Sequence, residues 1–163
     1  MYKRKYTGKG IGVAVLDTGI FPHIDFGRRI LAFCDFTEGK SGPYDDNGHG
    51  THVSGILGGD GTASQGRYKG AAPGCGIVAL KVLDRFGNGS REDVLQAFQW
   101  IEDFGKIYNI RIVNISVGTT SRSMNEQTDL LAGVEQLWDK GFTVVAAAGN
   151  QGPGDGTVTA PGS

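Results

Sequence analysis

Three polar side chains stand where apolar segments begin or end, and together they could carry out acid–base chemistry. Asp17 follows the run Ile11–Leu16, His49 opens a stretch of small apolar residues, and Asn150 comes soon after the run Phe142–Ala148. An imidazole beside a carboxylate can act as a general base, and an amide can donate to a developing oxyanion. Taken singly, Asp17 and Asn150 are more typical of turns, because both side chains hydrogen-bond nearby backbone groups.

The segment His49–Gly55 is the most specific of the three. Its two histidines, His49 and His52, are three residues apart and could bind a metal on one helix face. No glutamate follows His49, so the helical zinc-protease pattern is absent. The small residues Gly50, Ser54 and Gly55 favour tight burial instead. We therefore expect His52 to be a buried structural histidine, and His49 to project from the helix start into a cleft.

The apolar patterns predict five strands alternating with three helices. Together they predict an α/β fold of three layers, with a mostly parallel sheet and helices on both faces. The predicted strands cover residues 11–16, 29–33, 76–83, 112–117 and 142–148, and the predicted helices cover 49–57, the segment from Ser90 onward, and 125–140.

The second and third helices carry apolar residues at helical spacing. Ser90 is the predicted N-cap of the second helix, and Gly141 the predicted C-cap of the third. The residues expected to face the core are Val94, Leu95, Phe98, Ile101 and Phe104 in the second helix, and Leu130, Leu131, Val134, Leu137 and Trp138 in the third. Ligands of such sheets bind outside the carboxyl ends of the strands, where Asp17, His49 and Asn150 would meet.

Four segments in this order resemble the subtilase family of serine proteases, peptidase family S8. They are Ala14–Gly19, His49–Gly55, Asn114–Gly118 and Val144–Asn150. The resemblance implies that Asp17 accepts a hydrogen bond from His49 and fixes its tautomer. It implies that His49 is the general base and then the general acid, and that Asn150 donates to the tetrahedral oxyanion.

The same resemblance implies three substrate-binding segments. Ser116, Val117 and Gly118 match the edge segment that binds the substrate backbone as an added strand. The stretch Gly87-Asn88-Gly89, with Gly87 and Gly89 as its binding residues, matches the facing segment. Ala147, Ala148 and Gly149 would form one wall of the pocket for the side chain before the scissile bond.

The family places its nucleophilic serine in a Gly-Thr-Ser-Met-Ala turn, and this motif does not occur in the chain. Ser163 follows Pro161-Gly162 and is not expected to be a nucleophile. We therefore expect residues 1–163 to be one partial catalytic domain, ending before the C-terminal strands and the serine. The predicted function is serine endopeptidase by family, with this fragment inactive.

Two other interpretations compete with the protease. A truncated pseudo-protease that binds peptides or supports assembly would need neither Asp17 nor His49, yet both are present. A nucleotide-binding α/β domain would need a glycine-rich phosphate loop after the first strand. Asp17 stands there instead and would repel a phosphate.

Composition narrows the range of partners. The chain has 163 residues and a net charge of −1, from 16 basic and 17 acidic residues, so neither nucleic acid nor an anionic membrane is an expected partner. The expected partner is a polypeptide substrate. Because the family's sheet continues past the segment 142–148, we also expect a homodimer or a complementing C-terminal segment at that sheet edge.

The remaining expectations concern cofactors, cysteines and location. The resemblance implies no cofactor for the chemistry but allows structural calcium, for which the loop acids Asp25, Asp45, Asp46 and Asp60 are candidates; solvated carboxylates are the alternative. Cys34 and Cys75 are expected to be reduced and buried. The family tendency is extracellular, whereas the lack of a signal peptide in this chain would suit the cytoplasm.

Overall fold

The computed structural model describes residues 6–118, 124–154 and 157–162, with no side chains described for 124–127. Strands and helices alternate along the chain as the apolar pattern predicts. The strands are β1 Gly12–Asp17, β2 Ile30–Asp35, β3 Gly76–Lys81, β4 Ile110–Ile115 and β5 Thr143–Ala146; the helices are α1 His49–Gly58, α2 Arg91–Phe104 and α3 Met124–Asp139, with a short 3₁₀ turn at Thr62–Ser64.

The strands form a single sheet in the order β2-β3-β1-β4-β5, as far as the described residues go. All four strand pairings are parallel. The strand β1 lies in the centre and is buried along its whole length, as expected for a continuous apolar run covered on both faces. The parallel pairing brings the carboxyl ends of all five strands to one edge.

Alternate residues of the central strands form two separate cores. Ala14 and Leu16 belong to a cluster with residues of α2 and α3, whereas Val13 and Val15 belong to a cluster that Val53 of α1 packs against. Because successive strand side chains point to opposite faces, α1 covers one face of the sheet and α2 and α3 cover the other. The expected three-layer arrangement is confirmed.

The helix α2 begins at a capping box formed by Ser90 and Asp93, which confirms Ser90 as the N-cap. Val94, Phe98 and Ile101 are buried as predicted, but Phe104 is 40% exposed. Phe104 lies in the last turn and contacts the ring of Trp100, with centroids 5.0 Å apart, rather than the core.

In α3, Leu130 and Leu137 are buried, whereas Trp138 is 64% exposed, contrary to the prediction. One residue advances a helix by about 100°, so the turn that places Leu137 in the core carries Trp138 away from it. Gly141 has a φ of +89°, in line with its predicted place after the helix end.

Both cysteines are free; Cys75 is buried and Cys34 only partly so. Within the described residues, no helix has the length and apolar character required to cross a membrane.

Candidate active site

The strand β1 places Asp17 at the sheet edge formed by the carboxyl ends of the strands. Asp17 is the last residue of β1 and shares the strand face of Val13 and Val15, which is the face covered by α1. It is only 1% exposed. The helix α1 begins at His49, so the alternation of β1 points the carboxylate toward the start of that helix.

Asp17 and His49 are in direct contact. His49 Nδ1 lies 2.7 Å from Asp17 Oδ1, and the backbone N–H of Thr18 donates to the same oxygen at 2.7 Å. Because an ionised carboxylate oxygen only accepts, Nδ1 donates in this contact, and in a neutral imidazole Nε2 then keeps its lone pair. The His49 side chain is 53% exposed, whereas the Asp17 side chain is buried. A buried carboxylate therefore orients an imidazole that solvent or a ligand can reach.

Two glycines let α1 approach β1 this closely. A Cβ at Gly50 would stand 2.2 Å from the carbonyl oxygen of Gly19, and a Cβ at Gly19 would stand 2.2 Å from that of Tyr44. Gly19 also has a φ of +118°, a conformation that side chains disfavour. Gly50, one of the small residues from which the sequence predicts tight burial, therefore helps to place His49 beside Asp17, whereas a Cβ at Gly55 would meet no atom within 4 Å.

Three side chains satisfy the first-turn N–H groups of α1, which have no partner within the helix. The N–H of His49 donates to Asn47 Oδ1 at 3.2 Å, that of Gly50 to Thr18 Oγ1 at 2.9 Å, and that of Thr51 to Asp45 Oδ2 at 2.9 Å. The start of the helix, and with it His49, is fixed by contacts from both the β1 end and the preceding loop.

Asp45 makes the most contacts of these side chains. Its Oδ1 accepts from Thr18 Oγ1 and from the N–H groups of Asn47 and Gly48, and its Oδ2 accepts from the N–H and hydroxyl of Thr51. Burial opposes ionisation of Asp45, but the hydrogen bonds from Thr51, Gly48 and Thr18 outweigh it and lower the pKa to about 2. Its carboxylate stabilises the positive end of the helix dipole.

Lys81 is a buried cation that the sequence did not single out. It is 0% exposed and pairs in register with Asp17 on the neighbouring strand. Its Nζ donates to the carbonyl oxygens of Thr18 and Leu83, at 2.7 and 2.8 Å, and to Asp46 Oδ1 at 2.8 Å. Lys81 thus joins the ends of β1 and β3 to the loop that precedes α1.

The loop carrying Gly87 and Gly89 lies beside the His49 loop. Asn47 Nδ2 donates to the carbonyl oxygen of Arg85 at 3.0 Å. Within the loop, Asp84 Oδ1 accepts from the N–H groups of Phe86 and Asn88. A Cβ at Gly89 would stand 2.2 Å from the Val82 carbonyl oxygen, so only glycine fits there. The structure therefore brings this predicted substrate segment next to Asn47, two residues before His49.

The other two predicted substrate segments meet at Thr159. Ideal Cβ positions at Gly118 and Gly149 would lie 2.7 and 2.4 Å from Thr159 Oγ1. Thr159 also donates its N–H to the carbonyl oxygen of Ala148 at 3.0 Å. These contacts place Ser116–Gly118 and Ala147–Gly149 side by side at the carboxyl ends of β4 and β5.

Asn150 lies beyond β5 at this same edge and is exposed. Its role as an oxyanion donor stays a prediction. Ser163 lies outside the described residues.

The prediction for His52 is wrong. His52 is exposed on α1 and lines a cavity of about 600 Å³ together with Phe21, Ile56 and Tyr68. The helical turn that directs Ser54 into the core carries His52 to the outer face, and the sequence shows only the spacing, not the side covered by the sheet.

The four carboxylates proposed as calcium ligands are engaged by protein donors. Asp45 caps α1, Asp46 pairs with Lys81, Asp25 Oδ1 accepts from Ala63 N–H at 2.6 Å, and Asp60 Oδ1 accepts from Thr62. Across residues 6–118, 124–154 and 157–162, no three His, Cys, Asp or Glu side chains are grouped to hold a metal ion. Asp45 in particular is not a solvated acid, because both of its oxygens accept hydrogen bonds from the protein.

The geometry agrees with the family comparison. The model of the subtilase family, peptidase family S8, matches residues 8–163. The chain belongs to the subtilase family. Its expected subtilisin-like fold is confirmed by the known structure of a cold-adapted subtilisin-like serine proteinase. The two structures match with a TM-score of 0.76 and 29% sequence identity over 93% of this subtilase chain.

Two proteins of Bacillus subtilis (strain 168) are similar in sequence. Serine protease AprX is 42% identical over 161 residues, which are 96% of this chain. Minor extracellular protease Epr is 40% identical over 156 residues, or 94% of the chain. The chain spans 36% of AprX, 22% of Epr and 50% of the cold-adapted proteinase.

Proposed function

We propose that this chain supplies the acid–base half of a serine endopeptidase site, in a protein that cleaves peptide bonds through an acyl-enzyme. The observation that supports this most is the contact between buried Asp17 and exposed His49. In that arrangement the carboxylate stabilises the imidazolium formed when Nε2 takes a proton from a hydroxyl nucleophile.

The other site residues take roles by their position. Asn150 donates its side-chain amide to the oxyanion of the tetrahedral intermediate. Ser116–Gly118 and the Gly87–Gly89 loop bind the substrate backbone from two sides, and Ala147–Gly149 line the side-chain pocket. The chemistry needs no metal or organic cofactor.

We further propose that the 163 residues alone do not hydrolyse peptides. The contact between Asp17 and His49 supports the proposed acid–base pair, but no segment matches the serine turn. Incubation of the purified chain with a fluorophosphonate probe should give no labelling. Stoichiometric labelling of Ser163 would show that the chain carries its own nucleophile.

The proposed activity is tested on the protein expressed from its native reading frame, with casein as substrate. His49→Ala should lower kcat about a millionfold and Asp17→Asn about ten-thousandfold, the scale of the losses that the corresponding changes cause in other serine proteases. His52→Ala is the matched control and should keep the activity, because His52 faces outward. A His49→Ala variant that kept a tenth of the activity would rule out the proposed role, and casein binding without cleavage would favour the pseudo-protease.

The edge strand β5 is the proposed place of association. It pairs only with β4 in the described sheet; its own Val145 is 51% exposed, and Trp138 at the end of α3 is 64% exposed. An unpaired parallel edge with apolar side chains favours pairing with another segment. We propose that a second copy or a complementing C-terminal segment covers it, and that the protein acts outside the cell as its family tends to. Light scattering of the chain at micromolar concentration should give a dimer mass; a monomer would contradict self-pairing.

A further inference from the structure

The guanidinium of Arg29 lies at the C-terminal end of α1, surrounded by oxygen atoms. Its Nη1 donates to the carbonyl oxygens of Gly58 and Cys75, at 2.6 and 3.1 Å. Its Nη2 donates to the carbonyl oxygen of Asp25 and lies 3.6 Å from Asp60 Oδ2. The side chain is only 21% exposed. One cation thus contacts oxygens of four residues, which lie in three separate segments of the chain.

A set of convergent carbonyl and carboxylate oxygens is what a hard cation such as Ca²⁺ selects. The family resemblance raised the expectation of structural calcium, with Asp25 and Asp60 among the candidate ligands. The residues present do not fit a calcium ion, because the carbonyl oxygens of Asp25, Gly58 and Cys75 already accept from Arg29, which also pairs with Asp60 Oδ2. The remaining contacts of the two carboxylates are also with the protein: Asp25 Oδ1 accepts from the N–H of Ala63, and Asp60 Oδ1 from that of Thr62.

The position of the Arg29 guanidinium is also favourable electrostatically, because it lies at the negative end of the α1 dipole. The carbonyl groups at a helix C-terminus lack partners within the helix and carry partial negative charge. Arg29 donates to Gly58, the last residue of α1, so its charge lies at the end of the helix where a cation is favourable. Its planar fork lets two nitrogens reach different segments at once.

We propose that Arg29 is a built-in cation that holds the loop between α1 and β3, so that this loop is stable without calcium. Arg29 directly precedes β2, Cys75 directly precedes β3, and Gly58 ends α1. The guanidinium therefore joins the helix that carries His49 to the starts of two strands. This inference concerns stability and is independent of the proposed protease activity.

Thermal unfolding of the purified chain tests the proposal. The midpoint of the unmodified chain should be the same in millimolar calcium, in magnesium and in EDTA. Arg29→Met should lower the midpoint by about 5–10 °C, because it leaves buried carbonyl groups without donors. Arg28→Met is the matched control: Arg28 is the exposed neighbour, and its replacement should leave the midpoint unchanged.

Two results would overturn the proposal. One is a midpoint of the unmodified chain that rises in calcium but not in magnesium. The other is an Arg29→Met variant that unfolds at the same temperature as Arg28→Met. Should Arg29→Met fail to fold, Arg29→Lys replaces it in the test. The lysine keeps the positive charge but lacks the planar fork, so a smaller fall in the unfolding midpoint is expected. An unchanged midpoint would contradict the proposed role of Arg29.

Discussion

The two ends of α1 are held in different ways. At the His49 end, side chains accept the free N–H groups, and the carboxylate of Asp45 and the buried ammonium of Lys81 lie close behind them. At the Gly58 end, Ala71 and Ala72 donate backbone N–H groups to the carbonyl oxygens of Ile56 and Leu57, and Arg29 supplies a single cation.

Because of this difference, the two ends of α1 should respond differently to substitution. The His49 end depends on ionised side chains that also contact Thr18, the residue next to Asp17. The Gly58 end depends mainly on backbone hydrogen bonds and lies a full helix length from Asp17. Substitutions at the first end should therefore disturb both stability and the placement of His49, whereas substitutions at the second should disturb stability alone.

The largest effect is expected for Lys81→Met. The change leaves the carbonyl oxygens of Thr18 and Leu83 and the carboxylate of Asp46 without their donor, so the free energy of unfolding should fall by about 3–5 kcal/mol. Urea unfolding measures it, with the exposed Lys106→Met as control. In the Lys81→Met background, the further change Asp46→Leu should recover part of the lost stability. A double variant whose loss equals the sum of the two single losses would show that Lys81 and Asp46 are not coupled.

The sequence predicted the architecture because it follows from periodicity. The continuous apolar run of β1 and the helical spacing in α2 and α3 fixed the layers, and the order of elements placed Asp17 and His49 at one edge. The family motifs then named both residues, and the structure brings them to 2.7 Å.

The contacts around that pair could not be predicted in the same way. Asp45 stands in a polar loop, and the local sequence does not show whether its carboxylate is solvated or caps a helix. The difference depends on Thr18 and Thr51, which only the fold brings into contact with it. Lys81 is buried only because Asp46 reaches it from another part of the chain. His52 and Trp138 show the same limit, since spacing does not tell which side of a helix is covered.

A smaller effect is expected for Asp45→Asn. The amide nitrogen would face the donors of Thr51 or Gly48, and the negative charge at the helix start would be lost, so the free energy of unfolding should fall by about 2 kcal/mol. In a proton NMR spectrum the signal of the His49 Nδ1 proton should also shift or broaden. Asp139→Asn, an exposed change of the same chemistry, is the control. An Asp45→Asn variant with unchanged stability would mean that the two helix ends do not differ as described.

Acid should weaken the His49 end gradually. The pKa of Asp45 is about 2 in the folded chain, below its ordinary value of 3.8. A lowered pKa means that the folded state prefers the ionised carboxylate, so its stabilisation is complete above about pH 4 and is lost as the pH falls toward 2. Asp35 contributes in the same direction, because hydrogen bonds from Tyr44, Thr37 and Glu38 outweigh burial and lower its pKa to about 2.

Urea midpoints measured between pH 5 and pH 2 check this expectation. The decline should be shallower in Asp45→Asn, which has no carboxylate to protonate at that position. An identical decline of the urea midpoint in the unmodified chain and in Asp45→Asn would mean that the acid sensitivity comes from groups other than Asp45.

The smallest effect is expected at the other end of the helix, for Asp60→Asn. The asparagine oxygen can still accept from Thr62, so the change removes only the contact with Arg29, at 3.6 Å and with 36% of the Asp60 side chain exposed. Exposed ion pairs at such distances contribute little, and the free energy of unfolding should fall by less than about 0.5 kcal/mol. Urea unfolding of Asp60→Asn beside Asp45→Asn compares the same substitution at the two ends. Equal losses would mean that Arg29 depends on its carboxylate partner, whereas the structure places most of its contacts on backbone carbonyl oxygens.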